Sequence, residues 1–403
     1  MHTAPSSQLT LTQYQEQSTY TDQFASDSEA INHLRYGFFG EVGGLLAAVK
    51  KAHRETISQS ECAAAREEIG DALWYLAALA RRAELNFDQI GDAAIAVLQR
   101  HLHVAETKRS GKSVSFREID GLLAFQGKQI PEPTGKLLYA LAAHTGSLFA
   151  AFDEAAGQIA TPRVIDQFAD LLASLGMVAA SFGLSLADVA QTNLHKITFR
   201  WRRKDAPYLE FFDSGYPAHE QLPRQLEIEF IERDVRGKKL VVQRLRGVNI
   251  GDPLTDNRIE ADDYRFHDVF HLAYVAHLGW SPVIRGLLKI KRKSHPDVDE
   301  NEDGARAMII EEGIATWIFN HARDKGEFFA KVAEGKLEYG LLKQVQAMVS
   351  GYEVDRCPLW QWEKAILDGF QVFRQLREKR GGIVTVKMQD HSITYSSLKG
   401  SAL

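Results

Sequence analysis

Glu41, Glu68 and Asp71 are the residues of this chain whose type and placement speak most directly of chemistry. Glu41 lies in YGFFGEVGGLLAAVKKAHRE, and Glu68 and Asp71 lie in AAAREEIGDALWYLAALA, two successive amphipathic stretches. Residues three apart on a helix project from one face, so Glu68 and Asp71 point the same way and a facing helix can bring Glu41 to them. Carboxylates so gathered suit magnesium, which takes oxygen ligands in near-octahedral geometry and usually keeps several waters. Phosphates of a bound polyphosphate would complete the shell. Cleaving such an anhydride needs neutralised phosphate oxygens, an in-line water and a group that orients it. Glu67 and Glu68 are the candidates for that catalytic work, with Glu67 orienting the water. The same spacing also arises on ordinary solvated helix faces, and the apolar context is what gives it weight here.

Hydrophobic periodicity predicts three helices between about residues 31 and 103, with breaks near Ser58-Gln59-Ser60 and near Asn86. Ser58 with Glu61, and Asn86 with Gln89, have the spacing of capping boxes. Gly, Ser, Pro and charge then dissolve the pattern from Ser110 to Thr134, which reads as a linker with one short strand. Helical periodicity resumes at Lys136. The segment FADLLASLGMVAASFGLSLADVA aligns without a gap on IGDALWYLAALARRAELNFDQIG, placing Asp170 on Asp71 and Ser185 on Asn86, so a worn internal repeat is expected.

With these residues in view, the chain resembles the all-α nucleoside triphosphate pyrophosphohydrolases, the superfamily of MazG and dimeric dUTPases, across about residues 30–205. Their signature is ExxE on one helix and ExxD on the next; here Glu41-Val42-Gly43-Gly44 precedes Glu68-Ile69-Gly70-Asp71. Gly44 stands where the second Glu of ExxE belongs, with Glu67 and Glu61 as nearby substitutes. The family also carries a third-helix pattern like NxxKxxxR. The first copy has Ala94, Val97 and His101 there, whereas the second has Asn193, Lys196 and Arg200. The second copy in turn keeps only Asp170 among its acidic positions, His144-Thr145-Gly146-Ser147 and Gln167-Phe168-Ala169-Asp170. The two copies are damaged in complementary places, which implies one composite site: Glu41, Glu68 and Asp71 on metal, and Asn193, Lys196 and Arg200 on phosphates. The resemblance implies Mg2+-dependent hydrolysis of (d)NTP to (d)NMP and pyrophosphate, by a homo-oligomer of helical units.

Beyond Pro207 the period changes to two. LEIEFIERD and KKLVVQRLRGVNI flank Val235-Arg236-Gly237 as a β-hairpin, and IVTVKMQDHSITY offers further strands. Between Tyr264 and Lys379 the chain reads as helical again. There His267 and His271 share a helix face beside Asp268, and Glu311 and Glu312 interrupt an apolar helix, AMIIEEGIATWIF. Acids in so apolar a setting need partners. Ligation of a second divalent metal by these histidines and glutamates would supply them, with His277, Glu353 and Glu363 as further candidates; a polar seam pairing the glutamates with Arg306 or Arg323 is the plainer alternative. The turn-rich segment from Asn249 to Asn257 is a candidate wall of that site. The basic run KIKRK from Lys289 to Lys293 reads as a solvated helix end, and Trp360 and Trp362 as packing anchors.

At 403 residues and 45% hydrophobic content the chain can bury more than one core, so several domains are expected. The expected division is a polar segment (1–29), a MazG-like helical unit (30–109), a linker (110–134), a degenerate second unit (135–205), a β-hairpin connector (206–258), a His/Glu-rich helical domain (259–382) and a strand-like tail (383–403). The fold class is mainly α with a small sheet. A net charge of -5 with both signs interspersed gives no footprint for nucleic acid, and no uninterrupted apolar run marks a membrane span. Cys62 and Cys357 lie far apart and form neither a disulfide framework nor a CxxC site, so a cytoplasmic protein is expected. A rival reading keeps the helical units as a nucleotide sensor that regulates a metal-dependent hydrolase in the C-terminal domain.

Overall fold

A computed structural model of the chain describes residues 8–24, 28–52, 61–105, 113–124, 132–154, 162–324 and 327–398. It divides into two compact units, Met1–Thr198 and Phe199–Leu403. The described residues are mainly helical, with one antiparallel sheet.

The first unit contains α1 (Leu11–Ser18), α2 (Ser28–Ala52), α3 (Glu61–Arg82), α4 (Phe87–His101), α5 (Phe116–Ala124), α6 (Thr134–Glu154), α7 (Pro162–Ser181) and α8 (Leu186–Arg200), the division falling two residues before the end of α8. Local chemistry explains several starts. Thr10 and Gln13 form a capping box that begins α1 inside the polar N-terminal segment. Asn86 accepts from the Asp88 N–H to start α4. At the matching position before α8, Ser185 accepts from Asp188 while Asp120 takes the Leu186 and Ala187 N–H groups. The Ser58–Glu61 box lies outside the described residues. The expected linker instead contains α5, whose start pairs with that of α1 through an isolated antiparallel bridge, Thr10 to Ser115. An amphipathic helix of nine residues flanked by Gly- and Pro-containing chain is easily missed, because its two buried side chains, Phe116 and Ile119, give too short a period.

Packing within this unit follows the small residues. A Cβ at Gly37 would lie 2.3 Å from the Tyr75 ring, which fixes how closely α2 and α3 approach. A Cβ at Gly70 would lie 3.1 Å from that of Asn193, so α8 rests directly on α3. Meanwhile α4 packs against α7. So α4, which follows α3 in the chain, lies on α7, and α8, which follows α7, lies on α3. By length and composition α7 could cross a bilayer, but 67% of its apolar window is buried and it serves as the central core helix.

The second unit opens with β1 (Gln225–Val235), β2 (Lys238–Leu245) and β3 (Val248–Leu254), continues through α9 (Asp268–Leu278), α10 (Pro282–Leu288), α11 (Pro296–Asn301), α12 (Ala305–Asp324), α13 (Tyr339–Met348) and α14 (Leu359–Lys379), and closes with β4 (Gly381–Lys387) and β5 (Ser392–Ser396). The sheet order is β3-β2-β1-β4-β5, antiparallel throughout. Two tight turns carry positive φ at both central residues, Arg236-Gly237 and Arg246-Gly247, the geometry that matches strand twist. The second turn divides KKLVVQRLRGVNI into two strands where the sequence reading expects one. The expected connector and the strand-like tail are parts of one sheet: β1 pairs with β4 in register Ile228 to Val384. All eleven residues of α9 are buried, and α14 packs along it at Gly369, where a Cβ would stand 3.0 Å from that of Ala273.

Candidate functional sites

In the first unit the acids of α2 and α3 meet the basic face of α8. Asp71 Oδ2 lies 2.5 Å from Lys196 Nζ, which also reaches Glu67 Oε1 at 3.2 Å. Asn193 Nδ2 donates to Asp71 Oδ1 at 2.9 Å, and the buried Tyr14 hydroxyl donates to Asn193 Oδ1 at 2.8 Å. Glu41 and Glu68 are joined by a hydrogen bond between their carboxyl groups, and Gly44 leaves the room for it. A Cβ at that glycine would come 2.5 Å from Glu68 Oε2, so the longer side chain expected there would push Glu68 aside.

Two carboxyls that share a hydrogen bond must hold a proton between them. Burial first, then the bond to Glu68 and the charges of Asp71 and Glu68, raise the Glu41 pKa from 4.5 to about 8, against the opposing charge of Lys196. Glu68 is raised as well, by burial and by Asp71 and Glu67. Tyr75, one turn beyond Asp71, is raised by burial and by Glu41 and Asp71. The donor set is all oxygen, and a divalent cation could replace the shared proton, so Glu41 and Glu68 fit magnesium. Asp71 fits less simply, because both of its oxygens already accept hydrogen bonds.

The raised carboxyl has a stability consequence. Above pH 4.5 the unfolded chain releases the Glu41 proton that the folded chain keeps until about 8, so stability falls through that window and levels off beyond it. In chelator, Glu41→Gln should unfold at higher temperature than the parent at about pH 9, with the difference shrinking towards about pH 5; allowing for partial exposure, we expect about 1–2 kcal/mol. Identical pH dependence of melting in the two proteins would contradict it.

Arg200 does not join this cluster. It belongs to the second unit, where it is buried, donates to Glu363 Oε2 at 2.7 Å and reaches the Leu337 carbonyl at 2.8 Å. On the facing helices α6 and α7, His144 Nδ1 lies 3.1 Å from Ser174 Oγ, and Asp170 is half-buried on α7. Sequence reasoning missed Tyr14, whose helix was announced only by the Thr10–Gln13 cap spacing.

In the second unit, His267, at the N-cap of α9, and His271, within it, face Glu311 and Glu312 of α12. His271 Nδ1 lies 2.8 Å from Glu311 Oε1, both side chains fully buried. Glu311 also accepts from Ser281 Oγ at 2.6 Å and the Val283 N–H at 2.8 Å. His271 Nε2 and His267 Nε2 lie 3.4 and 3.7 Å from Glu312 Oε2, and His267 Nε2 is 3.1 Å from Asp268 Oδ1. Burial pulls His267 below the usual histidine range; for His271 burial works the same way but Glu311 and Glu312 outweigh it and raise it. The other candidates lie elsewhere: His277 Nε2 is 3.0 Å from Asp368, Glu353 pairs with Arg292 and Glu363 with Arg200. Of the cations in the plainer alternative, Arg323 pairs with Asp262 instead. Asp256 and Asn257, from the turn-rich segment, do line a cleft of about 570 Å³ beside His267 and Glu312.

Residues 207–399 match the family model described as the MazG C-terminal domain, which links the chain to the MazG family. That match does not extend to the helices before it. No curated protein and no solved structure matches the chain.

Proposed function

We propose that the chain is a magnesium-dependent nucleoside triphosphate pyrophosphohydrolase, with its chemistry in the first unit. The MazG link of residues 207–399 supports a nucleotide-hydrolysing relationship. The observation that carries the finer reading is the convergence of Lys196 and Asn193 on Asp71 and Glu67, beside the hydrogen-bonded pair Glu41 and Glu68. This joins the acids of one sequence copy to the basic helix of the other, as a tandem pair of MazG-like units would.

In this reading Glu41, Glu68 and Asp71 hold Mg2+, which when bound neutralises phosphate oxygens and favours attack at phosphorus. Glu67, half-buried at the rim, accepts a proton from water and aims its oxygen at the α-phosphorus. The new P–O bond forms as the bond to the bridging oxygen breaks, giving a nucleoside monophosphate and pyrophosphate. Lys196 then exchanges its carboxylate partners for substrate phosphate, a trade of one anion for another that costs little Coulomb energy. Asn193 stays fixed by Tyr14 and holds Asp71 in place.

A second reading has one observation in its favour. Gly44 removes an acid and Asp71 is saturated by Lys196 and Asn193, an arrangement suited to a nucleotide sensor that binds without cleaving. Incubation of the purified chain with canonical and modified triphosphates and Mg2+, followed by product identification, decides between them. Monophosphate with pyrophosphate is expected; nucleoside diphosphate with phosphate would overturn the reaction, and binding without product would favour the sensor.

A further inference from the structure

We propose that the second unit holds a divalent transition-metal site formed by His267 Nε2, His271 Nε2, Asp268 Oδ1 and Glu312 Oε2. It stands independently of the chemistry assigned to the first unit. The argument begins with where the ring protons must be. His267 Nδ1 lies 2.9 Å from the Tyr264 carbonyl, which can only accept, so this nitrogen carries the hydrogen. Glu311 takes hydrogens from Ser281 and Val283 and leaves His271 Nδ1 as its third donor. Both rings therefore turn Nε2 to the same place.

His271 Nε2 is buried and makes no well-aligned hydrogen bond, with Glu312 Oε2 facing it at 3.4 Å. Ligand atoms of His267, Asp268 and His271 all lie within 4.8 Å of one another. Glu312 Oε2 is the further carboxylate beside this group, 3.4 and 3.7 Å from the two imidazoles. Ligands about 2.0–2.2 Å from a tetrahedral ion stand about 3.3–3.6 Å apart, and the two imidazole separations from Glu312, 3.4 and 3.7 Å, lie close to that spacing.

The surroundings are built as supports for such ligands. Glu311 orients His271 from behind in a carboxylate–histidine pair, the arrangement that fixes tautomer and raises ligand basicity. Gln243 of β2 donates to Asp268 Oδ2, leaving Oδ1 turned to His267. The Tyr264 ring stacks on His267 at 4.2 Å and 5°, locking its plane. Two imidazoles with two carboxylates suit Zn2+, Mn2+, Fe2+ or Co2+ better than Mg2+. Glu312 is 43% exposed and lines the cleft with Asn257, Arg258 and Asn320, so one side of the ion faces solvent and a ligand with anionic oxygens.

The test uses the full chain, stripped with chelator and titrated with Co2+ while visible d–d absorption is recorded. We expect a band that saturates at one ion per chain and is displaced by Zn2+. His267→Gln and Glu312→Gln, both at the open side, should weaken binding at least about tenfold, while Glu68→Gln keeps the band; circular dichroism confirms that each variant is folded. No band in the parent, or a band kept at full affinity in both His267→Gln and Glu312→Gln, would overturn the proposal and leave the cluster as histidine–carboxylate ion pairs.

Discussion

Asp71→Asn should lower kcat/KM for pyrophosphate release by about 100- to 1000-fold, the usual loss when one preorganised electrostatic group is removed from a reacting centre. The substitution keeps volume and keeps a partner for Asn193 but removes the charge that faces Lys196 at 2.5 Å and would face a cation. Lys196→Ala should behave differently, because its ammonium serves phosphate in the ground state as well as in the transition state. Its main effect should be on KM, with a smaller fall in kcat. Measuring both variants on one triphosphate separates the ideas: full activity in Lys196→Ala would remove α8 from the mechanism, and full activity in Asp71→Asn would remove the acidic pair of helices altogether. Gly44→Glu is the informative third variant. If the missing acid were simply useful, restoring it should help, but the 2.5 Å approach to Glu68 means it must first displace a carboxylate already engaged with Glu41. Loss of activity is therefore expected.

The parts of this molecule that could be read from sequence are those with a physical period. The acids of α3 share a face because three residues nearly complete a turn, and the cap positions Asn86 and Ser185 announce α4 and α8 at equivalent places. The approach of α8 to α3 was implied only by the complementary losses in the two aligned segments, and the packing of α4 on α7 was not read from the sequence. Arg200 misled because a motif letter carries no information about depth, and here the guanidinium is buried against Glu363. In the second unit HxxxH located the imidazoles. What sequence could not give was the division of labour between Glu311 and Glu312: neighbours in the chain, they differ by the turn of one helical residue, which buries one behind His271 and leaves the other at the cleft. The five-stranded sheet was equally hidden, since pairing β1 with β4 joins segments separated by all the helices of the unit.

The basic run KIKRK gives the second large prediction, because two adjacent residues in it should differ widely in the size of their effect. Arg292 is fully buried; it donates to Asp303 through Nε and Nη2, to Glu353 through Nη1 and Nη2, and its guanidinium lies 5.4 Å from the Tyr216 ring centroid. Burial opposes its charge, but Asp303 and Glu353 outweigh that and raise its pKa. Asp303 is equally buried, and with Arg292 gone its nearest remaining cation is Arg285 Nε at 3.6 Å, itself committed to Asp213 at 2.7 Å. Arg292→Ala therefore strands a buried carboxylate and should cost the second unit about 3–5 kcal/mol. Arg292→Lys should recover only part, since a point ammonium cannot span two carboxylates as a planar fork does. Lys293, next in sequence, pairs with Asp299 at 2.9 Å but with 71% of its side chain exposed, so Lys293→Ala should change stability by a few tenths of a kcal/mol, ~0–1 at most. Urea unfolding of the three variants checks the contrast. Equal effects at 292 and 293 would mean that the run is a solvated helix end after all, and that the charge cluster around Asp303 does not hold this unit together.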